Sequence, residues 1–411
     1  MNWAGNLNYS AIRVNTPNSI EEIQELVAVT PKVKALGTRH SFSDCADTVG
    51  TQIQMTGLNQ VLKLDKANQT VSVQGGIAYG DLCQFLDRDG YSIHNLASLP
   101  HISVAGACAT ATHGSGELNG CLSTSVASLT IVRADGEIES FSRGDGGDFA
   151  GALVSLGSLG VVVELTLWVA PSFQMSQEVF QDVPLNAALE HFDEIQAKAY
   201  SVSFFTHWRD NKIDQIWLKH KGSGSGEPEL FGGRAATTHL HPITTMSPIN
   251  CTPQMGELGP WQERMPHFRM DYTPSSGEEL QSEYLVPRRH AISALEEIAK
   301  LGPQISDFLH VSEIRTIAAD DLWMSPFYQE AGVGIHFTWK KNWEAVSKLL
   351  PIIEERLAPF DVKPHWGKLS TMNGAHVASF YPRFGDFKQL VNRLDPNGKF
   401  SNRYLEELTI R

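Results

Sequence analysis

A run of small residues between positions 93 and 116 constrains the fold more than any other part of the sequence. From Pro100 onward it reads Pro-His-Ile-Ser-Val-Ala-Gly-Ala-Cys-Ala-Thr-Ala-Thr-His-Gly-Ser-Gly, without an acidic residue, Lys or Arg. Small residues allow a backbone to approach a flat or anionic ligand closely, and their N–H groups can then bind phosphate oxygens. They also allow two buried backbone segments to cross closely. Taken alone, the run favours neither interpretation.

A second loop of similar composition lies upstream. Residues 33–36 are predicted to form a short strand, and Gly-Thr-Arg-His-Ser-Phe follows at 37–42. A strand that ends in a loop rich in Gly, Ser and Thr commonly presents backbone N–H groups to a phosphate. Two such loops in one N-terminal region indicate a pyrophosphate held between them.

With these two loops the chain resembles the vanillyl-alcohol-oxidase family of FAD proteins, and within it the alditol (xylitol) oxidases, over nearly its whole length. The resemblance implies an α+β, two-domain vanillyl-alcohol-oxidase-type fold. An FAD-binding domain of the PCMH type is expected over residues 1–170, completed by about 372–411, where Asp-Pro-Asn-Gly resembles the family's closing motif. From the residues alone, that tetrapeptide is only a turn. A substrate (cap) domain with a large antiparallel sheet is expected over 171–371.

The same resemblance assigns the cofactor contacts. It implies FAD covalently attached through His40 to the 8α-methyl group of the flavin. Arg39 departs from the family pattern, since many relatives have Gly there. The residues expected to bind FAD besides His40 are Gly37, Thr38, Arg39, Ser41, Ser98, Ser103, Gly106, Cys108, Ala109, Thr110, His113, Val162 and His365.

Length, charge and cysteine content limit the class of protein. A chain of 411 residues exceeds one compact core, so two domains are expected. The net charge of -13 argues against nucleic acid and anionic membrane partners, and no apolar run approaches the length of a membrane span. Five scattered cysteines without a Cys-x-x-Cys pair favour free thiols in a reducing cytoplasm. We expect a cytoplasmic monomer, and the resemblance implies a small polyol and O2 as its partners.

Hydrophobic periodicity predicts the other elements. No Gly-x-Gly-x-x-Gly follows a strand, so a nicotinamide-binding Rossmann domain is not expected. Helices are predicted after Ser19, over 81–90, over 150–156, over 288–301 with Ile292, Leu295 and Ile298 inward, and over 344–357 with a kink or restart at Pro351. Strands are predicted at 71–73, 160–167, 201–208, 215–219 and in a 129–141 hairpin. Residues 228–280 are predicted to run over the surface of the second domain.

Three short segments carry polar side chains that could perform chemistry, at 311–316, 335–339 and 364–368. Because side chains alternate along a strand, the polar residues of each of the first two segments share a face. In order, the three segments contribute Glu313 and Arg315, His336 and Thr338, and His365 and Lys368. Polar alternation on one antiparallel strand is usually its solvated face, and a lone His is usually a packed or surface residue. The joint occurrence of complementary groups among aromatic residues favours a site.

In the alditol oxidases, the residues matching Ser98, Glu313, Arg315, Thr338 and Lys368 line the pocket and bind polyol hydroxyls, and the match of His336 lies there too. A neutral polyol needs mixed donors and acceptors whose charges compensate one another. The resemblance implies oxidation of a terminal hydroxyl by hydride transfer from C1 to flavin N5, with O2 then reduced to H2O2. His336 is the first candidate for the base, with Lys368 and Arg315 stabilising the oxyanion, but the sequence leaves the choice between His336 and Lys368 open.

Other functions remain possible from the sequence. A sugar or aldonolactone oxidase or dehydrogenase of the same family would share the cofactor but differ in substrate or electron acceptor. A non-catalytic carbohydrate-binding protein could retain the fold. A metal hydrolase is disfavoured because no His, Asp and Glu spacing resembles a ligand set, so no metal is expected.

Overall fold

The computed structural model of the chain describes residues 1–271 and 277–411. Helices and strands, numbered here along the chain, are mixed in the α+β manner expected from the sequence, and the strands form four sheets in this part of the chain. Among the described residues, no helix combines the length and apolar character that crossing a membrane would require.

The N-terminal part forms three of the sheets. A three-stranded parallel sheet has the order β1-β3-β2, a five-stranded antiparallel sheet has the order β4-β5-β9-β7-β8, and β6 pairs with β10. The strands are β1 (Arg13–Asn15), β2 (Val33–Leu36), β3 (Thr51–Gln54), β4 (Val61–Asp65), β5 (Thr70–Gln74), β6 (Tyr91–Ser92), β7 (Val126–Val132), β8 (Ile138–Ser142), β9 (Val161–Trp168) and β10 (Ala170–Pro171). The predicted hairpin over 129–141 is confirmed as β7 and β8.

Four helices accompany these sheets, and three of them match predicted positions. They are α1 (Ile20–Val29), α2 (Tyr79–Arg88), α3 (Val104–Ala109) and α4 (Phe149–Leu153). Ser19 caps α1, since its Oγ accepts a hydrogen bond from the Glu22 N–H at 3.2 Å, while Glu22 Oε2 accepts from the Asn18 N–H. The unpredicted helix, α3, lies inside the small-residue run.

The fourth sheet has ten strands and is antiparallel throughout, as expected for the second domain. Its order is β14-β15-β11-β13-β12-β18-β19-β17-β20, with β16 also paired to β11. The strands are β11 (Gln174–Pro184), β12 (Ser201–Thr206), β13 (Lys212–Lys221), β14 (Glu229–Leu230), β15 (Gly233–Ala235), β16 (Gly259–Pro260), β17 (Glu279–Pro287), β18 (Leu309–Ile317), β19 (Gly332–Lys340) and β20 (Lys363–Pro364).

Helices cover one face of the large sheet. They are α5 (Leu185–Glu190), α6 (Phe192–Ala197), α7 (Ala291–Lys300), α8 (Gly302–Ile305) and α9 (Trp343–Leu357). Apolar strand residues such as Ile314 and Phe337 pack with Leu295 of α7 and Ile353 of α9 in one core. Because side chains alternate along β18 and β19, the residues between these apolar positions point to the opposite face.

Three sequence predictions in this region need correction. Ile292 is 36% exposed, because α7 begins at Ala291 after a turn of 3-10 helix and its buried stripe therefore runs through Ala294, Leu295 and Ile298. The helix α9 continues through Pro351, so it does not restart there. The predicted surface path of 228–280 is wrong for 261–267, where Trp261, Met265 and His267 are buried, and its residues 272–276 lie outside the described residues.

The C-terminal segment packs against the N-terminal elements. It contains α10 (Gly374–Ser379), α11 (Phe384–Leu394) and α12 (Arg403–Glu407). Asp395 accepts hydrogen bonds from the N–H groups of Lys399 and Phe400, at 2.7 and 2.8 Å, and Phe400 joins a core with Ile23 and Val27 of α1. These contacts are the ones expected if the C-terminal segment completes the first domain. The domain bounds at 170 and 372 stay predictions.

Candidate active site

A cavity lies between the N-terminal loops and the open face of the large sheet. Residues 37–42 and 102–112 line one side, and side chains of β17, β18 and β19 line the other. Every residue that the sequence assigned to catalysis, substrate or cofactor lines this cavity except Cys108. Cys108 lies on the core side of α3, with Sγ 3.9 Å from the Tyr79 hydroxyl, whereas Ala105 and Ala109 face the cavity. Its assignment as a cofactor contact stays a prediction that the cavity lining does not support.

The two small-residue loops contact each other directly. The Ser103 N–H donates to Thr38 Oγ1 at 3.1 Å, and a Cβ atom added to Gly37 would lie 2.4 Å from Ser103 Oγ. A larger residue at position 37 would require the Ser103 side chain to move. The loops therefore cross closely and also line the cavity, while their binding of a phosphate stays a prediction.

Arg39 adopts a backbone conformation that side chains rarely take. Its φ is +65°, in the left-handed region where glycine is unstrained. The side chain compensates in part, since Nη2 donates to Gln54 Oε1 at 2.7 Å. Arg39 can therefore stand at a position where glycine would be the easier choice.

His40 follows in a closely packed environment. The Trp3 indole stacks on the His40 ring, with centroids 5.4 Å apart and an angle of 23° between the planes. The backbone N–H of Trp3 donates to the Arg39 carbonyl at 2.8 Å. Burial, reinforced by the charges of His101 and Lys368, lowers the pKa of His40 to about 4. Its buried Nδ1 has no hydrogen-bond partner among the described residues. At neutral pH the imidazole is therefore uncharged.

On the opposite side, the strand register aligns charged residues in a row. Glu313 of β18 pairs with His336 of β19, which pairs with Glu283 of β17. Arg315 lies beside this row, with Nη2 2.6 Å from Glu283 Oε1 and Nε 3.6 Å from Glu313 Oε1. It also reaches the N-terminal loops, since Nη1 donates to the His113 carbonyl at 3.3 Å.

These charges stabilise one another despite their burial. Burial disfavours ionisation of Glu283 and Glu313, but the attraction of Arg315 is the main opposing effect and holds the pKa of each carboxyl group below its usual value. Burial likewise disfavours the charge of Arg315, but Glu313 and Glu283 raise its pKa. The group therefore remains ionised at neutral pH, with two negative charges and one positive charge.

Gln281 of β17 connects the two candidates for the base. Its Oε1 accepts hydrogen bonds from His336 Nε2, at 3.2 Å, and from Lys368 Nζ, while its Nε2 donates to Glu279 Oε1. Burial is the main cause that lowers the pKa of His336 to about 3 and the pKa of Lys368 to about 8. Near pH 7, His336 is therefore neutral with its proton on Nε2, and most Lys368 side chains are charged.

A cluster of His113, Glu283 and His365 has the composition of a metal site, with ligand atoms within 4.8 Å of one another. The Gly367 N–H donates to His365 Nδ1 at 3.0 Å, so the proton of neutral His365 lies on Nε2, which then offers no lone pair. Glu283 Oε1 is already bound by Arg315. The hydrogen bonding fits an ion-paired polar network better than a metal centre.

Sequence reasoning missed several residues of this face. Glu279, Gln281 and Glu283 alternate along β17 just as Glu313 and Arg315 do along β18, and that alternation was visible in the sequence. His267 also lines the cavity and has no comparable signal, because it lies in an irregular segment before β17.

Comparisons with known proteins identify the family. Residues 11–142 match the family model of an FAD binding domain, and residues 273–408 match that of D-arabinono-1,4-lactone oxidase. The chain is 42% identical over 410 residues to an alditol oxidase from a Streptomyces species, covering 99% of this chain and 98% of the relative. The chain belongs to the vanillyl-alcohol-oxidase family of FAD proteins.

Two further matches extend over nearly the whole flavoprotein. It is 28% identical over 440 residues to the L-gulonolactone oxidase of Mus musculus, covering 99% of this chain and 97% of the relative. A solved structure of a solvent-stable cholesterol oxidase superposes with a TM-score of 0.80 at 17% identity, covering 99% of this chain and 96% of that chain. The latter match concerns the fold, which is of the vanillyl-alcohol-oxidase type.

The cavity of this flavoprotein fits FAD on its loop side. Gly37, Ala105, Gly106 and Ala109 line that side, so this stretch of the wall carries no bulky side chain. His40 contributes a buried, unpartnered Nδ1 next to the same loops. A wall without bulky side chains suits a large flat cofactor in close contact, and the imidazole nitrogen suits its attachment.

Proposed function

We propose that this flavoprotein oxidises the terminal hydroxyl group of alditols such as xylitol and sorbitol to the aldose, with reduction of O2 to H2O2. The observation that carries the proposal is the buried, charge-compensated polar face opposite the FAD-binding loops. It consists of the buried residues Glu283, Glu313, Arg315, His336 and Thr338, with the partly buried Lys368 at its edge. The similarity to the Streptomyces alditol oxidase supports the same class of substrate.

His40 is proposed as the covalent attachment site of FAD, with Gly37, Thr38, Ser103 and Gly106 lining the cofactor site. Only a neutral imidazole has the lone pair needed to form a bond to carbon, and the lowered pKa of His40 keeps it neutral. The FAD, when bound, supplies the acceptor for a hydride from the substrate and returns the electrons to O2. Of the residues assigned to FAD by resemblance, those that line the cavity remain proposed contacts.

The polar face is proposed to bind the hydroxyl groups of the alditol. Each hydroxyl both donates and accepts a hydrogen bond. Arg315 and Lys368 can donate, ionised Glu313 can accept, and the hydroxyl groups of Ser98 and Thr338 can do either. A substrate without these hydroxyls would leave buried polar groups unpaired, so the site is expected to reject it strongly.

His336 is proposed as the base that accepts the proton of the reacting hydroxyl. Since its Nε2–H donates to Gln281, the nitrogen with a free lone pair is Nδ1. Glu283 and Glu313 on the neighbouring strands would stabilise the imidazolium that forms. Charged Lys368 is proposed to stabilise the negative charge that develops on the substrate oxygen, together with Arg315.

The experiment that tests the function is anaerobic reduction of the bound flavin. Xylitol and sorbitol should bleach the flavin absorbance of the purified holoprotein, and admission of air should restore it with release of one H2O2 per aldose formed. A holoprotein that keeps its oxidised spectrum under both alditols would contradict the proposal. Peroxide release separates an oxidase from a dehydrogenase.

The second candidate is an aldonolactone oxidase or dehydrogenase. It is favoured by the match of residues 273–408 to the D-arabinono-1,4-lactone oxidase model and by the mouse L-gulonolactone oxidase. Faster anaerobic reduction by L-gulono-1,4-lactone than by xylitol would decide in its favour. The higher identity to the alditol oxidase supports the first candidate.

A cytoplasmic location is part of the proposal. All five cysteines are buried and none is paired in a disulfide, as expected for a reducing compartment. The expected monomeric state stays a prediction, and gel filtration of the holoprotein would test it.

A further inference from the structure

A histidine outside the proposed machinery binds the carboxylate assigned to the substrate. His267 Nε2 lies 2.7 Å from Glu313 Oε1, and both residues are buried, at 6% and 5% exposure. His267 belongs to the irregular segment between β16 and β17, whereas Glu313 projects from β18. The contact therefore joins the segment that covers the cavity to the polar face of the sheet.

The hydrogen bonding of His267 fixes the position of its proton. Its Nδ1 is buried and has no hydrogen-bond partner among the described residues, so a proton there would be an unsatisfied buried donor. Burial, helped by the charge of Lys219, also lowers the pKa of His267 to about 4. The neutral ring therefore carries its proton on Nε2 and donates it to Glu313.

The surrounding contacts hold the His267 ring in one orientation. Phe205 and Trp217 meet it edge to face, with centroids 5.4 and 5.3 Å away. Lys219 Nζ donates to the carbonyls of Met265 and Pro266 at 2.6 and 2.8 Å. These bonds hold the backbone just before His267 in place. Such a ring has little freedom to turn away from Glu313.

The same segment is also tied to the loop side of the cavity. The N–H groups of His267 and Phe268 approach the Ser98 carbonyl at 3.2 and 3.3 Å. Ser98 is a proposed substrate ligand, so one short segment positions groups on both sides of the substrate. The segment therefore contacts the loop side through the Ser98 carbonyl and the sheet side through Glu313.

The hydrogen bond from His267 occupies one of the two carboxylate oxygens of Glu313. His267 Nε2 and the more distant Arg315 Nε both approach Oε1. Among the described residues, Oε2 has no hydrogen-bond donor of its own, and Glu313 lines the cavity. Oε2 is therefore the oxygen that can accept a substrate hydroxyl.

We propose that His267 is a positioning residue for alditol recognition: by donating to Glu313 Oε1, it holds the carboxylate so that Oε2 accepts one particular hydroxyl of the substrate. This inference rests on the proposed function. It assigns to His267 a share in the discrimination between an alditol and its analogue lacking that hydroxyl.

The test compares two amide variants that differ by one methylene. In His267→Gln the side-chain amide can reach the position of Nε2 and still donate to Glu313, whereas the shorter side chain of His267→Asn cannot. Anaerobic flavin reduction is measured with xylitol and with each monodeoxyxylitol, and the dissociation constant and the limiting rate constant are obtained separately. Gln262→Ala, in the same segment but outside the cavity lining, is the control.

We expect His267→Asn to weaken xylitol binding about 10- to 100-fold, the range for a hydrogen bond to a charged group, with the limiting rate constant changed less than about threefold. Binding of one monodeoxyxylitol should hardly change, so discrimination against it is lost. His267→Gln should restore both within about fivefold, and Gln262→Ala should discriminate as the wild type does. A merely structural role would affect all substrates alike.

Equal binding and equal discrimination in His267→Asn and His267→Gln would overturn the inference. If the wild-type flavin is reduced by alditols and His267→Asn discriminates normally, the inference alone fails. If no alditol reduces the wild-type flavin, the proposed function and the inference fail together.

Discussion

The two sides of the cavity offer different chemistry to a ligand. The loop side consists of two nearby stretches, 37–42 and 102–112, that are rich in small residues, with Arg39, His40, Phe42 and Ile102 as the larger side chains. The sheet side collects charged side chains from β17, β18 and β19 and from the segment after β20. Recognition through backbone leaves a contiguous pattern in the sequence, while recognition through side chains depends on which strands become neighbours.

The sides also differ in charge. On the loop side His40 is neutral and the guanidinium group of Arg39 binds Gln54, whereas the sheet side holds Glu283, Glu313, Arg315 and Lys368 within one network. Substitutions on the loop side should therefore change the attachment or content of FAD. Substitutions on the sheet side should change the rate of flavin reduction and leave the cofactor in place.

The largest expected effect is on the loop side. His40→Ala should abolish covalent attachment completely, because no other imidazole would occupy that position. The flavin should then be released by acid precipitation, and fluorescence should disappear from the protein band on a denaturing gel. A protein band that keeps its fluorescence would assign the bond to another residue and break the proposed division between the two sides.

The reciprocal change on the sheet side is Lys368→Ala. We expect the flavin to remain attached while the rate constant for its reduction by xylitol falls about 10²- to 10³-fold, because a charge that stabilises the developing oxyanion is lost. Stopped-flow reduction under anaerobic conditions measures it, and the denaturing gel serves as the control for attachment. Reduction within tenfold of the wild-type rate would remove Lys368 from its proposed role.

The pH dependence separates the two candidates for the base. With a pKa of about 8, Lys368 is charged below that pH and neutral above it, whereas His336, with a pKa of about 3, stays neutral throughout. If charged Lys368 is required, the rate constant for reduction should be constant between about pH 5 and 7 and fall about tenfold per pH unit above 8. A rise through pH 8 would instead identify Lys368 as the base. In Lys368→Arg the alkaline fall should disappear, since Arg keeps its charge.

The smallest effects are expected for substitutions of Arg39 and Gly37, which lie in the same loop. Arg39→Gly relieves a strained conformation but loses the bond to Gln54, and each contribution is about 1 kcal/mol, so the melting temperature should change by less than about 4 °C. Gly37→Ala forces a Cβ against Ser103 and should lower both stability and flavin content. Differential scanning fluorimetry and the flavin-to-protein absorbance ratio measure the two variants. A greater loss in Arg39→Gly than in Gly37→Ala would contradict the account of this loop.

The sequence predicts those features that depend on residues close together in the chain. Alternation along β18 placed Glu313 and Arg315 on one face, and their Oε1–Nε distance of 3.6 Å agrees with that. The register of β17 against β19, which brings Glu283 beside His336, is a non-local property and could not be predicted. His267 was missed for a similar reason, because an irregular segment has no period that indicates which side chains face inward.

Local rules also fail where tertiary packing overrides them. Pro351 lies inside α9, although an internal proline usually breaks a helix, and the flanking Leu350 and Ile353 are fully buried. Packing of that apolar stripe compensates for the missing hydrogen bond. The start of α7 at Ala291, three residues after the predicted start at 288, likewise accompanies an Ile292 that lies outside the core.

The strand that leads into the His40 loop is completed by residues that lie far along the chain. The Val33 N–H donates to the Lys399 carbonyl at 3.0 Å, and Lys32 Nζ binds the carbonyl of Gly398, 366 residues later. The edge of this strand therefore stays incomplete until positions 398–400 pack against it. We expect a chain truncated before residue 398 to hold less flavin than the full chain, which the flavin-to-protein absorbance ratio measures.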